Sequence, residues 1–384
     1  TAKASDDLKL VTQFEINTRW GNATANGAAA AGAATPGATN TAGAGGGVDT
    51  DGINVATRWA YLDFNMGKSV NVKAGLQPMK DKLKGLYFDA DLPAAQVAFK
   101  TGGYTLNLLY SRFNDTATTQ ANVLGDLSAD LFGVENTYAF SKDTSMSLVY
   151  YLNSDNTTHT DTPNIGISKQ KKINTFGVSG QTKIGALDLS AFAAMQAGYQ
   201  KNATIAAGNN FGKTMNYHGW AAATNAKMKV GTGAAKMGFL FTSGNNYVND
   251  TTVGGADAHN RGWQSISAAN NSVGQNSYNE SGMMLLARNT SMGGTNTDDY
   301  FRKPVTNIAL LTMGYDANLT DKLYVNGNVG FAWAPSSDGG EAHIDVNRGI
   351  LYADWKNNAS DFMGTEIKDR KSTRLNSSHV SQSR

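Results

Sequence analysis

The sequence has no cysteine among its 384 residues, which excludes disulfide bonds and thiolate metal sites. Proline is scarce, with six residues, whereas glycine is abundant, with 42. Together with 15 tyrosines, 15 phenylalanines and six tryptophans, this composition is typical of a turn-rich β protein with aromatic girdles. No charged and then apolar export signal opens the chain at Thr1, so the protein is either cytoplasmic or, as we expect, a mature form from which the signal has been removed.

Long apolar runs are also absent. No run of about 18 apolar residues occurs, so a transmembrane helix is excluded. Hydrophobic residues make up 40% of the chain and the mean hydropathy is −0.37, which is too polar for a helical membrane protein. The formal net charge of +2 argues against general nucleic-acid binding through a basic surface. The absence of long apolar runs does not exclude a membrane β-barrel, because only alternate residues of its strands contact lipid.

The sequence does contain a clear alternation of apolar and polar residues with a period of two, best seen from Ile53 to Asn114. In one strand-length run the apolar residues, which share one face, are Val70, Val72, Ala74 and Leu76. A soluble sandwich alternates in the same way. Here, however, short turns alternate with long polar loops almost to the end of the chain, as in outer-membrane barrels.

This pattern predicts an all-β fold, a transmembrane antiparallel up-and-down β-barrel with roughly thirteen strands in this chain. The long loops would all lie at one end of the barrel. The longest of them, Asn245–Pro304, is rich in Asn, Gly and Ser. A loop of this length either folds inward as a pore constriction or shields the outside, and alternation does not decide between the two.

The last residues break the alternation. Asp369–His379 resembles the translation of a sequencing-library adapter, and we expect residues 369–384 to be an artefactual tail. Directly before it, Phe362–Ile367 has the pattern of a further strand. We therefore expect residues 1–368 to form one barrel domain that is incomplete at its C-terminus, and we expect the intact parent to continue for two or three more strands. An open strand edge would destabilise the cut chain in lipid.

Four segments near the start of the chain resemble a known family. They are Arg58–Asp63, Val72–Gln77, Phe88–Asp91 and Ala95–Lys100, and they resemble bacterial outer-membrane porins of the delta-proteobacterial homotrimeric type. The resemblance is clearest over Ile53–Phe113 and diffuse elsewhere. It implies a barrel of about 16 strands in a Gram-negative outer membrane, a homotrimer, and passive diffusion of small hydrophilic solutes.

The sequence contains no recognisable catalytic, cofactor or metal motif. The histidines before the tail are scattered and form no i, i+4 pair, so we expect no zinc site at His159, His218, His259 or His343. The run Gly43–Gly47 lacks the Lys-Ser/Thr of a phosphate-binding loop. No Gly-x-Ser-x-Gly nucleophile elbow occurs. We expect neither an enzyme nor a cofactor.

Alternation also assigns charged side chains to the face opposite the apolar one, which would line the pore. The charged pore-lining residues predicted in this way are Asp63, Lys73, Lys100, Glu135, Lys183, Lys227, Lys229 and Lys236. Lysines outnumber carboxylates in this set, which predicts a mild preference for anions. The alternative is that lysines beside short turns are solvated rim residues with no effect on permeation.

A charged loop between Pro78 and Pro93 is the candidate constriction. Its charged residues are Lys80, Lys82, Lys84, Asp89 and Asp91, and they surround an apolar centre. Opposite charges across a pore would generate a transverse field. The apolar centre would pack against the pore interior or a neighbouring subunit; the alternative is a short surface loop anchored by its aromatic residues.

The sequence therefore predicts a passive diffusion channel for small hydrophilic solutes or ions across the bacterial outer membrane, with outer-membrane lipid and those solutes as its partners and no nucleic acid. Two other classes stay open. A surface barrel would act as an adhesin or scaffold through its long loops, and a secreted soluble β protein would have a dry core. Liposome swelling separates a channel from a plugged barrel, and heat-modifiable gel migration separates both from a soluble protein.

Overall fold

β-strands dominate the computed structural model of this chain. It describes residues 1–16, 55–115, 128–156, 160–162, 165–167, 170–201, 214–244, 258–266, 278, 280, 305–320, 323–336, 344–345, 350–351 and 362–373. The strands are β1 (Ala2–Lys3), β2 (Leu8–Ile16), β3 (Val55–Met66), β4 (Val70–Lys80), β5 (Asp89–Thr101), β6 (Tyr104–Asp115), β7 (Ser128–Ala139), β8 (Ser145–Asp155), β9 (Thr160–Thr162), β10 (Ile165–Ile167), β11 (Lys171–Ile184), β12 (Leu187–Gln200), β13 (Met215–Tyr217), β14 (Trp220–Val230), β15 (Gly233–Thr242), β16 (Ala258–Asn260), β17 (Ile308–Asn318), β18 (Leu323–Trp333), β19 (Ile344–Asp345), β20 (Ile350–Leu351) and β21 (Phe362–Thr373). Within these residues, no helix has the length and apolar character needed to cross a membrane.

The strands belong to two compact units. Unit 1 comprises Thr1–Pro78 and Asp91–Val97, and unit 2 comprises Met79–Ala90 and Ala98–Arg384. In unit 1, β2 pairs antiparallel with β3, and β3 pairs antiparallel with β4.

In unit 2, each long strand pairs antiparallel with the next long strand of the chain. The pairs are β6–β7, β7–β8, β8–β11, β11–β12, β12–β14, β14–β15, β15–β17, β17–β18 and β18–β21. Antiparallel neighbours need only short connections, which is why turns of a few residues suffice. The predicted architecture, all-β with antiparallel up-and-down strands, is confirmed.

Strand lengths agree with the alternation at most places. Fourteen strands in the described part of the chain have nine or more residues, against roughly thirteen predicted. The additional one is β21, which starts at Phe362 as the pattern indicated and continues to Thr373. Its last residues pair with β18 up to Leu323, so regular structure extends into the segment expected to be an artefactual tail. Residues 374–384 lie outside the described ones.

The strands beside the predicted constriction loop are longer than the sequence suggested. β4 ends at Lys80 and β5 starts at Asp89, so Lys80, Asp89 and Asp91 are strand residues rather than loop residues. The Asp81 N–H donates to the Phe88 carbonyl at 3.1 Å. This hydrogen bond joins the two chain segments directly beyond the strand ends at Lys80 and Asp89. The loop is therefore Asp81–Phe88.

Two predicted hairpin turns depend on glycine. Gly102 between β5 and β6 has φ of 56°, and Gly185 between β11 and β12 has φ of 61°. These angles lie in the left-handed region, which glycine adopts without steric cost. The predicted turns at these positions are present.

One face of the unit 2 sheet carries large apolar side chains in the open. The ladder register places Tyr150 beside Phe176, Phe176 beside Met195, and Met195 beside Trp220. The exposed fractions of the last three are 48%, 60% and 49%. We call this the apolar face.

The other face of the same strands carries the polar side chains together with some apolar ones, and its middle rows are covered. The next row across β8, β11 and β12 is Tyr151, Thr175 and Gln196, and each of the three is at most 2% exposed. A soluble sheet does the reverse, since it buries its apolar side and wets its polar side. Exposed apolar side chains over many strands are typical of a membrane β-sheet, whose apolar face contacts lipid. We call the covered side the polar face.

Candidate pore-lining site

In unit 1, the predicted pore residues Asp63 and Lys73 lie directly opposite each other. The β3–β4 register pairs these two residues, and the β2–β3 register places Lys9 on the other side of Asp63. The Asn71 side-chain amide donates to the Asp63 carboxylate at 2.7 Å. In the strand register Asp63 therefore lies between two lysines, of which Lys9 was not predicted.

In unit 2, the predicted lysines gather at the turn end of the polar face. The register places Lys183 opposite Asp188, Asp188 opposite Lys227, and Lys227 opposite Lys236. The Lys183 ammonium lies 3.6 Å from the Asp188 carboxylate, and both side chains are about half exposed. Ion pairs this exposed add little stability, so their charges remain accessible to a solute.

Asp316 completes the lysine cluster and was missed by sequence reasoning. Its carboxylate lies 2.7 Å from the Lys236 ammonium and 3.8 Å from that of Lys227. Because two lysines share one carboxylate, positive charge exceeds negative charge at this point. A signal was available, since Asp316 alternates in phase with the polar-face residue Thr312 of β17.

A cavity of about 400 Å³ lies beside this cluster. The charged side chains that line it are those of Lys84, Lys142, Lys183, Lys227, Lys236, Asp143, Asp188 and Glu280. Five ammonium groups therefore face three carboxylates. Its lining combines polar and apolar residues and carries a net positive charge, and fixed positive charge attracts anions.

Two other predicted pore lysines lie near the short turns. Lys100 is exposed next to the last residue of β5, and Lys229 is exposed just before the β14–β15 turn. Lys229 lines a second cavity, of about 460 Å³, together with Lys183 and Lys227. These two positions agree with the alternative interpretation, in which lysines beside short turns are solvated rim residues.

Glu135, the predicted acidic pore residue, lies on the polar face but is only 3% exposed. The Asn107 amide donates to its Oε2 at 3.0 Å, and the Tyr151 hydroxyl donates to its Oε1 at 2.7 Å. The carboxylate is therefore tied into a buried network instead of projecting into water. Alternation identified its face but could not show that another segment covers it.

The covering segment is the loop Asp81–Phe88, which is organised around the Asp81 carboxylate. Its two oxygens accept four backbone N–H groups at 2.6 to 2.9 Å, from Leu83, Gly85, Tyr87 and Phe88. Burial raises the pKa of the Asp81 carboxyl to about 7, against the lowering effect of these four donors. The carboxylate thus fixes the backbone of a loop that has little other internal structure.

The apolar centre of this loop packs onto the polar face of unit 2. The most deeply buried side chains, at most 1% exposed, are Leu83, Leu86, Tyr87 and Phe88. The Tyr87 ring stacks on Tyr151 at 5.4 Å between centroids, and the Lys82 N–H donates to the Tyr151 hydroxyl at 3.2 Å. Gly177 leaves room for Leu83, because a Cβ there would lie 2.9 Å from Leu83 Cδ2. The loop therefore lies against its own sheet.

The charges flanking this loop do not form two facing rows. The Lys80 ammonium lies 3.2 Å from the Asp89 carboxylate on the same hairpin. In unit 1, Asp91 accepts hydrogen bonds from Arg58 Nε at 2.8 Å and from Trp59 Nε1 at 2.7 Å. Lys82 is exposed, and Lys84 lines the 400 Å³ cavity. The loop therefore contributes mainly positive charge to its surroundings.

Part of the long loop Asn245–Pro304 also lies on the polar face. Residues 261–266, which we call the strap, contact the carbonyl groups of the constriction loop. The Ser265 hydroxyl donates to the Leu86 carbonyl at 2.9 Å, and the Ile266 N–H donates to the Tyr87 carbonyl at 3.1 Å. The described part of the long loop therefore folds inward, which the sequence left open.

A further residue of the long loop, Tyr278, reaches the same face. Its hydroxyl lies 2.7 Å from the Asn225 amide nitrogen, and its ring meets Phe192 edge-on at 6.4 Å. Tyr278 is 1% exposed. An aromatic residue within an otherwise polar loop is the signal in the sequence that could have indicated these contacts.

The comparisons with known proteins place solved outer-membrane proteins beside this chain. No family model matches it, and no curated protein matches it. OmpT of Vibrio cholerae is 10% identical with a TM-score of 0.40, over 72% of this chain and 70% of OmpT. An anion-selective porin from Comamonas acidovorans is 12% identical with a TM-score of 0.40, over 74% and 70%. OpdK of Pseudomonas aeruginosa, solved with vanillate, is 13% identical with a TM-score of 0.39, over 74% and 66%. These values assign no function, so the proposals below depend on the contacts and charges of this chain.

Proposed function

We propose that this protein is a passive diffusion channel for small hydrophilic solutes or ions in the bacterial outer membrane. In this proposal the strands form a barrel whose polar face lines a water-filled pore and whose apolar face contacts lipid. The observation that carries it is the reversed chemistry of the unit 2 sheet, with Phe176, Met195 and Trp220 exposed while Gln196 on the opposite face is covered. Such a channel selects by width and charge, and it needs neither covalent chemistry nor a cofactor.

The assembly belongs to the same proposal. The resemblance of Arg58–Asp63 and the neighbouring segments to homotrimeric porins of the delta-proteobacterial type supports a trimer of barrels in the intact parent, each with about 16 strands. The trimer would leave the permeation path inside each barrel.

We further propose a mild preference for anions. The lysine cluster at the turn end of the polar face supports it, because Lys227 and Lys236 share the single carboxylate of Asp316. Lys84 adds charge from the constriction loop to the same cavity. In a low-dielectric wall, a surplus of fixed positive charge lowers the free energy of an entering anion and raises that of a cation.

Planar bilayers with a potassium chloride gradient test conductance and selectivity together. The unmodified chain is expected to form channels with a reversal potential on the anion-selective side. Changing Lys227 and Lys236 to Gln should move the reversal potential toward zero or toward cation selectivity. Lys68→Gln, at an exposed turn residue of unit 1, is the matched control and should leave it unchanged.

Each outcome of this experiment is informative. Cation selectivity of the unmodified channel would overturn the charge proposal, and equal shifts in the control would favour the solvated-rim alternative. Absence of any conductance would overturn the channel.

A plugged surface barrel that acts as an adhesin or scaffold is the second candidate. The specific observation in its favour is that Asp81–Phe88 and the strap both cover the polar face. Liposome swelling with small sugars separates the two. A channel passes the sugars and a plugged barrel passes none.

A further inference from the structure

Hydrogen bonds hold the strap on the polar face, and they are separate from its contact with the constriction loop. The Ser243 hydroxyl donates to the Arg261 carbonyl at 2.7 Å, and the Trp263 N–H donates to the Ser243 carbonyl at 3.0 Å. The Thr306 hydroxyl donates to the Trp263 carbonyl at 2.9 Å. Ser243 and Thr306 belong to chain that flanks β15 and β17, so the sheet itself holds the strap.

Gln196 makes the most specific of these hydrogen bonds. Its Nε2 donates to the Gln264 carbonyl at 2.6 Å, and its Oε1 accepts the Gln264 N–H at 2.8 Å, so one side chain imitates a strand partner. The same Nε2 donates to Thr175 at 3.0 Å, which fixes the side-chain orientation within the sheet. Gln196 is 2% exposed, so losing these partners would leave buried polar groups unsatisfied.

The backbone beside this point is built for close approach. A Cβ at Gly219 would lie 2.7 Å from Gln196 Oε1 and 2.9 Å from the Trp263 Cα. A side chain at that position would therefore displace the strap. Glycine allows the strap backbone to reach the sheet.

The strap in turn is in contact with the constriction loop. Ser265 and Ile266 donate to the carbonyls of Leu86 and Tyr87, and the Trp263 ring meets Tyr87 edge-on at 6.2 Å. Leu86 and Tyr87 are two of the four deeply buried residues that hold the loop on the sheet. Any displacement of the strap therefore removes contacts on the outer side of the loop.

We infer that the strap is a second wall of the constriction and that Gln196 is the positioning residue that sets the size limit for solutes. The inference depends on the proposed channel function and adds to it a determinant of size that lies outside the constriction loop. Gln196 acts through the strap, which it aligns in the manner of a strand partner. Width is then controlled by two segments distant in sequence, whereas the anion preference is controlled by the lysine cluster.

The test compares Gln196→Ala with Thr224→Ala in liposome swelling with sugars of increasing size and in planar bilayers. Thr224 is an exposed residue of β14 on the apolar face, opposite Phe239. Gln196→Ala should raise the single-channel conductance and admit larger sugars, while the reversal potential stays that of the unmodified channel. Thr224→Ala should leave the size limit unchanged. Heat-modifiable gel migration verifies that both variants fold.

The possible results separate the inference from the function beneath it. An unchanged size limit in a folded Gln196→Ala channel overturns the inference but leaves the channel in place. An unmodified chain that conducts nothing overturns the proposed function instead. If Gln196→Ala fails to fold, Ser265→Ala takes its place, because it removes the hydrogen bond to the Leu86 carbonyl and leaves the sheet unchanged. Ser265→Ala is also expected to widen the pore. A folded Ser265→Ala channel with an unchanged size limit overturns the inference.

Discussion

At the residue scale, the side chains that matter most here act on backbone groups. The Asp81 carboxylate accepts hydrogen bonds from four N–H groups of its own loop, and the Gln196 side chain makes two hydrogen bonds with the main chain of Gln264. Polar groups in such positions stabilise a structure mainly because their removal leaves buried donors without acceptors. This explains how two loops without regular structure occupy fixed positions on a sheet.

The raised pKa of Asp81 predicts a pH-dependent stability. Its pKa in the folded loop is about 7, above the ordinary value of 3.8, so the folded state binds the proton more tightly than the unfolded state. The stability that protonated Asp81 contributes is greatest below about pH 3.8, the ordinary pKa, and is lost as the pH rises through about 7. Acidification from about pH 8 to about pH 5 should therefore raise the free energy of unfolding by on the order of 2 kcal/mol.

Urea unfolding in detergent micelles measures this dependence. Asp81→Asn is expected to be less stable at every pH, because its amide faces two N–H donors, and to lose most of the pH dependence. Glu135 is connected to the same loop through the Tyr151 hydroxyl, so Glu135→Gln is the control that separates the contribution of this second buried acidic residue. A parent protein that becomes less stable on acidification over this range would contradict the account.

At the element scale, the hairpin β4–β5 offers a clean removal of the constriction loop. The Asp81 N–H to Phe88 carbonyl hydrogen bond marks where the hairpin closes. Replacing residues 82–87 by Gly-Gly leaves a two-residue turn, which antiparallel strands accept readily. The shortened protein should form channels of higher conductance, because the segment that covers Tyr151 is gone.

Single-channel recording of this variant decides between a constriction and a surface loop. A matched control replaces the exposed turn residues Lys68 and Ser69, in the short turn between β3 and β4, by Gly-Gly. The control should conduct like the parent. Unchanged conductance and selectivity in the shortened variant would assign the loop no role in permeation.

The elements also show what the sequence could and could not predict. Period-two alternation located the strands and placed Lys183, Lys227 and Lys236 on one face, because register follows from alternation once neighbours pair. It could not place Lys80 and Asp89 in strands, because the sequence predicts one loop for the whole segment between Pro78 and Pro93. It also could not show that Glu135 is covered, because alternation gives no information on where a loop folds. Alternation also could not show that the Asp81 carboxylate organises the loop, because its hydrogen-bond partners are backbone groups of that loop.

At the scale of the whole molecule, the account depends on which solvent contacts each face of the sheet. Met237 on the apolar face and Lys227 on the polar face are nearly equally exposed, at 54% for the residue and 53% for the side chain. They lie on the paired strands β14 and β15, one position apart in register. Equal exposure on opposite faces makes them a matched pair for asking whether the solvent is lipid or water.

The decisive measurement is spin-label accessibility at these two positions in lipid vesicles. The chain has no cysteine, so Met237→Cys and Lys227→Cys each carry one label without background. The account predicts that oxygen, which concentrates in lipid, relaxes the label at position 237, while a water-soluble nickel complex relaxes the label at position 227. Equal access of the nickel complex to both labels would contradict the account, because it would mean that water contacts both faces.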